Sequence, residues 1–486
     1  MRSVYLLDAS SGLERRLLRE WMEKNAPAQR EEVPLPFTRG KRTERRTDRR
    51  LSRALEAADT MLCPLRVLWL PPERDGSRGI VFRDLLTLAN PRAPSRLRQE
   101  WIVRRHPERC RVIAAEPATV AALKERWAKQ GGSATDADGF SEFVARTGAL
   151  ALERAERQTT GARYKVPRFV QEEILARPEF AKGLAQVAGE MPPEKARRKA
   201  AKYLAEIAAR HSPYVIDLVH RAIRLAYTQG YSEAVHYDDA KLQAIFALAR
   251  KHPVVFLPTH KSNLDHAMMQ WLLHENGMPP SHAAGGINMN FFPVGPLFRR
   301  TGVFFIRRSF KDNPLYKYVL RQYVDFLVEK RFSMEWYIEG GRSRSGKLLP
   351  PRFGLLSYVV DAWKRGKSED VFLVPVSIAY DQISDVGDYA AEQRGEKKQK
   401  ESLGWFVKML RGLRRRYGDI HIRFGEPLSV AKTLGGKDAG FEPGGDEEGA
   451  KNVAVAKLAF EVCNRINRVT PVTPTSLVCL ALLEEG

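Results

Sequence analysis

The sequence predicts an α/β protein with a sheet domain at residues 252–486, a helical subdomain at 161–251 and a small N-terminal α/β domain at 1–160. Three observations carry this reading. From Pro253 to about Val430, apolar runs of buried-strand type alternate with helical segments, the signature of a sheet with crossover helices. From Pro167 to Lys251 the chain is rich in Ala, Leu, Lys, Arg and Glu at helical spacing, with Val215, Leu218, Val219, Ala222 and Ile223 on one face. Before residue 160, Arg66–Leu70 and Arg111–Ala115 read as short strands, and Glu116-Pro117-Ala118-Thr119 after the second reads as a helix start. Gly131–Gly139 reads as a loop, and Lys41–Arg53 as a mobile basic stretch. A Gly/Asp/Glu-rich loop, Gly435–Gly449, precedes a final helix at Ala450–Arg468.

Composition narrows the function classes. With 43% hydrophobic and 28% charged residues, the chain describes a folded protein. Its longest apolar stretches, such as Val371–Tyr380, fall far short of the ~20 residues that span a bilayer. Met1–Asp8 is too short for a secretory leader, so a cytoplasmic protein with peripheral membrane contact is expected. The net charge of +22, from 80 basic and 58 acidic residues, favours a polyanionic partner: anionic lipid, a phosphorylated substrate or nucleic acid. A basic nucleic-acid-binding protein is the reading of a different class. The chain has no zinc-finger spacing, ribonucleoprotein aromatic motif or helix-turn-helix signature, so lipid and substrate are favoured. Cys63, Cys110, Cys463 and Cys479 are scattered and no H-E-x-x-H pattern occurs, so neither metal nor cofactor is expected.

Thr259-His260-Lys261-Ser262-Asn263-Leu264-Asp265-His266 carries the chemistry. Val254–Pro258 before it reads as a buried strand, and Leu264, Met268, Trp271 and Leu272 after it as a helix closed by Gly277. His260 then sits on a strand-to-helix turn with Asp265 in the first helical turn. A carboxylate there can fix the imidazole tautomer and leave the other ring nitrogen free to take a proton from a hydroxyl. Ser262 has no G-x-S-x-G elbow around it, so direct transfer is preferred to an acyl-enzyme.

Downstream stand Gly285–Asn288 with Leu297–Arg308, then Tyr337-Ile338-Glu339-Gly340-Gly341-Arg342-Ser343-Arg344-Ser345-Gly346-Lys347, and Val371–Val376. In order and spacing these blocks resemble the glycerolipid acyltransferases, with the strongest resemblance to glycerol-3-phosphate 1-O-acyltransferases of the bacterial PlsB type. The resemblance runs from about Ala162 to the C-terminus. The first block departs from it, since better-known members have Arg and His where Lys261 and Asn263 stand. Family members usually continue beyond the point where this chain stops, which leaves room for a further C-terminal portion.

The resemblance implies acyl transfer from acyl-CoA or an acylated carrier protein to the sn-1 hydroxyl of glycerol 3-phosphate. Dihydroxyacetone phosphate and lysophosphatidate stay open as acceptors. It makes His260 and Asp265 the catalytic dyad and Arg308 a phosphate ligand. If Val303–Arg308 is one strand, Arg307 faces the other way and acts as a surface or supporting residue. In the third block, Gly340 and Gly341 let backbone N–H groups approach an anion, Arg342 and Arg344 supply guanidinium forks, and Lys347 adds a point charge. Glu339 and Ser343 support the loop, Glu339 either by fixing it or by accepting from a substrate hydroxyl. Pro375 helps shape the acyl-donor pocket, and its place in a buried run calls for a bulge or a strand end. Leu403–Tyr417, with an apolar stripe and Lys408, Arg411, Arg414, Arg415 and Arg416, reads as a basic helix for an anionic membrane interface or as a packed core helix.

Overall fold

The computed structural model describes residues 2–27, 30–35, 49–74, 78, 80, 84, 90–161, 165–166, 169–232, 234–310, 312–395, 404, 412, 415–435 and 453–484. The acidic loop after Gly435, most of the basic segment Leu403–Tyr417 and residues 41–48 of the arginine-rich stretch lie outside them. The chain divides into two compact units, 1–182 and 183–486. Helices 193–207 and 213–227 pack on helices of the second unit, 314–329 and 265–275 respectively, so they share its core.

The first unit holds a sheet ordered β2-β1-β3-β4, with β5 also on β3. Its strands are β1 (Ser3–Asp8), β2 (Arg30–Pro34), β3 (Met61–Trp69), β4 (Cys110–Ala114) and β5 (Ala118–Thr119). β1, β2 and β3 run parallel, and β4 is antiparallel to β3. The helix start expected at Thr119 is present, its hydroxyl accepting from the Ala122 N–H at 3.2 Å. The loop expected to reach Gly139 ends earlier. Asp136 caps a helix at Ala137–Thr160 by accepting from the Gly139 N–H, which draws Asp138 and Gly139 into the first turn.

The second unit is built on a sheet ordered β6-β12-β11-β7-β10-β8-β9. Its strands are β6 (Val235–His236), β7 (Val254–Pro258), β8 (His282–Gly286), β9 (Val303–Ile306), β10 (Met334–Glu335), β11 (Phe372–Tyr380), β12 (Ile420–Phe424) and β13 (Leu428–Ser429). β11, β7, β10, β8 and β9 are mutually parallel, so their carboxyl ends share one edge of the sheet. Loops at that edge of an open parallel sheet are where ligands bind. All five residues of β7 are buried, as expected for a strand covered on both faces. Met268, Met269 and Leu272 of helix Asp265–Glu275 pack with Phe256, Val374, Val376 and Ile378. Burying each such side chain contributes about 1.5–3 kcal/mol. Helix Pro213–Tyr227 forms and buries Leu218 as expected, but Ala222 is exposed, and Ile216, Asp217 and Tyr227 are buried as well. Asp217 approaches the buried His274 at 3.2 Å, a polar contact that turns the helix off its purely apolar stripe.

Two readings need correction. β9 ends at Ile306, so Arg307 and Arg308 lie beyond the strand and alternation no longer decides which way each points. Pro375 sits neither in a bulge of its own strand nor at its end. It is buried within β11, beside the gap where β12 stops at Phe424 and β13 starts at Leu428. Its carbonyl accepts from Gly425 in that gap at 2.8 Å, so the bulge belongs to the partner strand and no ladder donor is missed. Its ring lies against Gly425.

Candidate active site

The dyad forms at the carboxyl end of β7. His260 Nδ1 lies 3.1 Å from Asp265 Oδ2, and the aspartate is fully buried while the His260 side chain is 21% exposed. The same oxygen accepts from the Lys261 and Ser262 N–H groups at 2.7 and 2.8 Å, and Oδ1 accepts from the Tyr380 hydroxyl at 2.8 Å. A carboxylate so placed orients the imidazole through Nδ1. Nε2 is left as the open nitrogen. Tyr337 stacks under the imidazole, with ring centroids 3.8 Å apart at 15°, which fixes the ring plane. Burial keeps the Tyr337 and Tyr380 phenols un-ionised, with pKa values well above the usual range.

The third block locks onto the first through its backbone. Glu339 Oε1 accepts from the His260 N–H and Oε2 from the Leu349 N–H, both at 2.8 Å, while Ser343 N–H donates to the His260 carbonyl at 2.8 Å. Each carboxylate oxygen thus holds one loop amide, and Glu339 fixes the loop. Burial raises its pKa, with the two amide donors acting against that shift. Gly340 has φ +68°, and an added Cβ there would stand 2.7 Å from Arg352 Cγ, so both conformation and space call for glycine. Gly341 has open space in front of it.

The structure separates the expected cations. Arg342, 14% exposed, lies 3.8 Å from Asp385, donates weakly to the Tyr389 hydroxyl at 3.4 Å and sits over that ring. Asp385 in turn accepts from the Ser262 hydroxyl at 2.6 Å and the Asn263 side-chain amide at 2.6 Å, and Tyr389 donates to the Lys261 carbonyl at 2.8 Å. Arg342 is thereby held beside the dyad loop. Arg344 is paired with Glu392, and Lys347 is exposed. Arg307 makes two bonds to Glu206, at 2.6 and 2.8 Å, and lies over Tyr203 and Tyr316, clamping helix 193–207 to the end of β9. Arg308 is exposed and forms no ion pair among the described residues; it stands on the shared sheet edge, three strands from β7. Arg299 is buried on the Ala208 carbonyl at 2.9 Å, so it supports the turn.

Sequence reasoning missed Tyr380, Asp385 and Tyr389, which lie 115 to 128 residues from their partners in the dyad loop. No local pattern marks them. Tyr337 had a signal, two positions before Glu339 at the head of the third block. Lys261 sits at the dyad with its ammonium pKa lowered by burial, against the fields of Asp265 and Glu339.

Comparison with known proteins assigns this arrangement. The acyltransferase family profile matches residues 239–379, and the glycerol-3-phosphate acyltransferase C-terminal region matches 389–485. A glycerol-3-phosphate acyltransferase of Aeromonas hydrophila is 32% identical over 434 residues, 88% of this chain. The chain thus carries an acyltransferase domain followed by a glycerol-3-phosphate acyltransferase C-terminal region. It spans about half the length of that relative, 52%. The acyltransferase match contains His260, Asp265 and the Glu339–Ser343 loop, while Tyr389 falls in the C-terminal region. The crystal structure of the 1-acyl-sn-glycerophosphate (LPA) acyltransferase PlsC from Thermotoga maritima aligns over 61% of this chain and 89% of that one, at 14% identity and a TM-score of 0.28.

Proposed function

We propose that the chain transfers a fatty acyl group from an acyl thioester, acyl-CoA or acylated carrier protein, to the sn-1 hydroxyl of glycerol 3-phosphate, forming lysophosphatidate. The observation that carries the reading is the dyad: a buried carboxylate saturated with donors, holding an imidazole whose Nε2 is open. In this mechanism Nε2 takes the proton of the acceptor hydroxyl as its oxygen attacks the thioester carbonyl. Asp265 stabilises the imidazolium, and the tetrahedral intermediate collapses by breaking the C–S bond. The imidazolium then returns its proton to the departing thiolate, so no cofactor is required. Arg342 is the cation best placed to hold the acceptor's phosphate, with Arg308 and Lys347 as further ligands from the same sheet edge and Arg344 joining only when it exchanges Glu392 for the phosphate. The site of action is the cytoplasmic face of the membrane, reached peripherally and drawn there by the net charge of +22.

Offering glycerol 3-phosphate, dihydroxyacetone phosphate and lysophosphatidate separately with labelled acyl-CoA tests the acceptor. Lysophosphatidate is expected as the main product, from the first acceptor; preference for either rival would replace this reading. Direct transfer has its own check. The Ser262 hydroxyl is fully buried and spent on Asp385, so Ser262→Ala is expected to retain turnover within about tenfold, the loss coming only from a loosened loop. A labelled acyl-enzyme trapped on Ser262 would refute direct transfer.

A further inference from the structure

A second polar cluster stands at the outer side of the same sheet, where β6, β12 and the turn after β11 meet. β12 pairs with β6 so that His421 falls opposite His236, and the two rings stack with centroids 4.9 Å apart. Asp381 follows the last residue of β11, and Asp419 precedes the first of β12. One ligand atom from each of Asp381, Asp419 and His421 lies within 4.8 Å of the others. His236 Nε2 is 2.8 Å from Asp419 Oδ2, and His421 Nε2 is 3.7 Å from Asp381 Oδ1. We propose that His236, Asp381, Asp419 and His421 form a divalent-cation site of the zinc type that fastens this edge of the sheet.

Three features support an ion rather than a plain ion-pair cluster. The donor set is two imidazoles and two carboxylates, which suits a four-coordinate zinc and neutralises its charge. Ligand atoms about 2.0–2.2 Å from such an ion stand roughly 3.3–3.6 Å apart, so the observed spacings need only small side-chain rotations. The carboxylates are also supported in the manner of metal ligands. Asp381 Oδ2 accepts from the Asp419 N–H at 2.9 Å, and Asp419 Oδ1 accepts from the Ser232 hydroxyl, leaving one oxygen of each carboxylate turned toward the imidazoles. Asp381 Oδ1 is buried without a hydrogen-bond partner among the described residues. A buried carboxylate oxygen with no donor is costly, and a cation beside it removes that cost.

Position gives the ion a consequence. Asp381 directly follows Tyr380, whose hydroxyl holds Asp265, and the turn it opens ends at Asp385, which holds Ser262 and Asn263. An ion at Asp381 would pin the near end of that turn. The test is calorimetric titration of the purified, EDTA-stripped and dialysed chain with ZnCl2, and separately with MgCl2, alongside melting curves. Wild type is expected to bind one equivalent of zinc with a Kd below about 10 µM and to melt several degrees higher at saturation, with no comparable response to magnesium. His236→Gln and His421→Gln are each expected to weaken zinc binding at least about tenfold. His236 is on a half-exposed edge position, so its variant will fold, as circular dichroism would verify. Absence of stoichiometric zinc binding overturns the proposal, as does unchanged affinity in both folded variants or equal preference for magnesium.

Discussion

Replacing His260 with alanine is expected to lower acyl-transfer turnover by about 10²–10⁴-fold while the protein stays folded, because the variant loses the general base and little else. The ring is partly exposed, and the backbone contacts that seat it, the N–H to Glu339 and the carbonyl from Ser343, survive the change. Asp265→Asn should cause a loss of similar order by another route. Its carbonyl oxygen can stay on the Lys261 and Ser262 amides and its NH2 can turn to Tyr380, so the packing is kept. What disappears is the negative charge that stabilises the imidazolium. Single-turnover rates together with circular dichroism make the measurement. A folded His260→Ala protein with near-parental turnover would remove the dyad from the mechanism.

Arg342→Lys is expected to raise the KM for glycerol 3-phosphate by about 10–100-fold, since lysine cannot reproduce a two-point guanidinium contact with phosphate. The acyl-donor KM should hardly move. Some loss of kcat will accompany it, because the phosphate contact also aligns the hydroxyl with Nε2. Arg308→Lys should act in the same direction if the acceptor extends along the sheet edge. Arg307→Lys is the control: its guanidinium is committed to Glu206, Tyr203 and Tyr316, so melting temperature, not acceptor KM, is the quantity it should change. An acceptor KM unmoved in Arg342→Lys and Arg308→Lys would discard the phosphate clamp, and a large rise in Arg307→Lys would relocate it.

The legible parts of the site were those whose geometry is local. His260 and Asp265 are separated by one turn between a buried strand and a helix, so their spacing alone brings Nδ1 to the carboxylate. Gly340 stood out as a place of close backbone approach, and the structure adds a positive φ that admits few other residues. Arg307 and Arg308 show the limit of such reasoning. Strand alternation is a sound rule, but it holds only while the strand continues, and the strand stops at Ile306. The four-residue edge cluster shows a second limit. Metal-ligand patterns are sought as short spacings, whereas His236 and Asp419 are brought together by strand pairing across 183 residues.

By itself, then, the sequence determined the alternation of strands and helices, the dyad and the glycine-turned loop, because periodicity, turn chemistry and residue type act over a few residues. Tertiary structure decided which cations stand near the dyad. Arg342 is held there by Asp385 and Tyr389, Arg344 is drawn off by Glu392, and Arg307 by Glu206. A guanidinium goes to whichever carboxylate the fold sets within reach, and nothing along the chain records that distance.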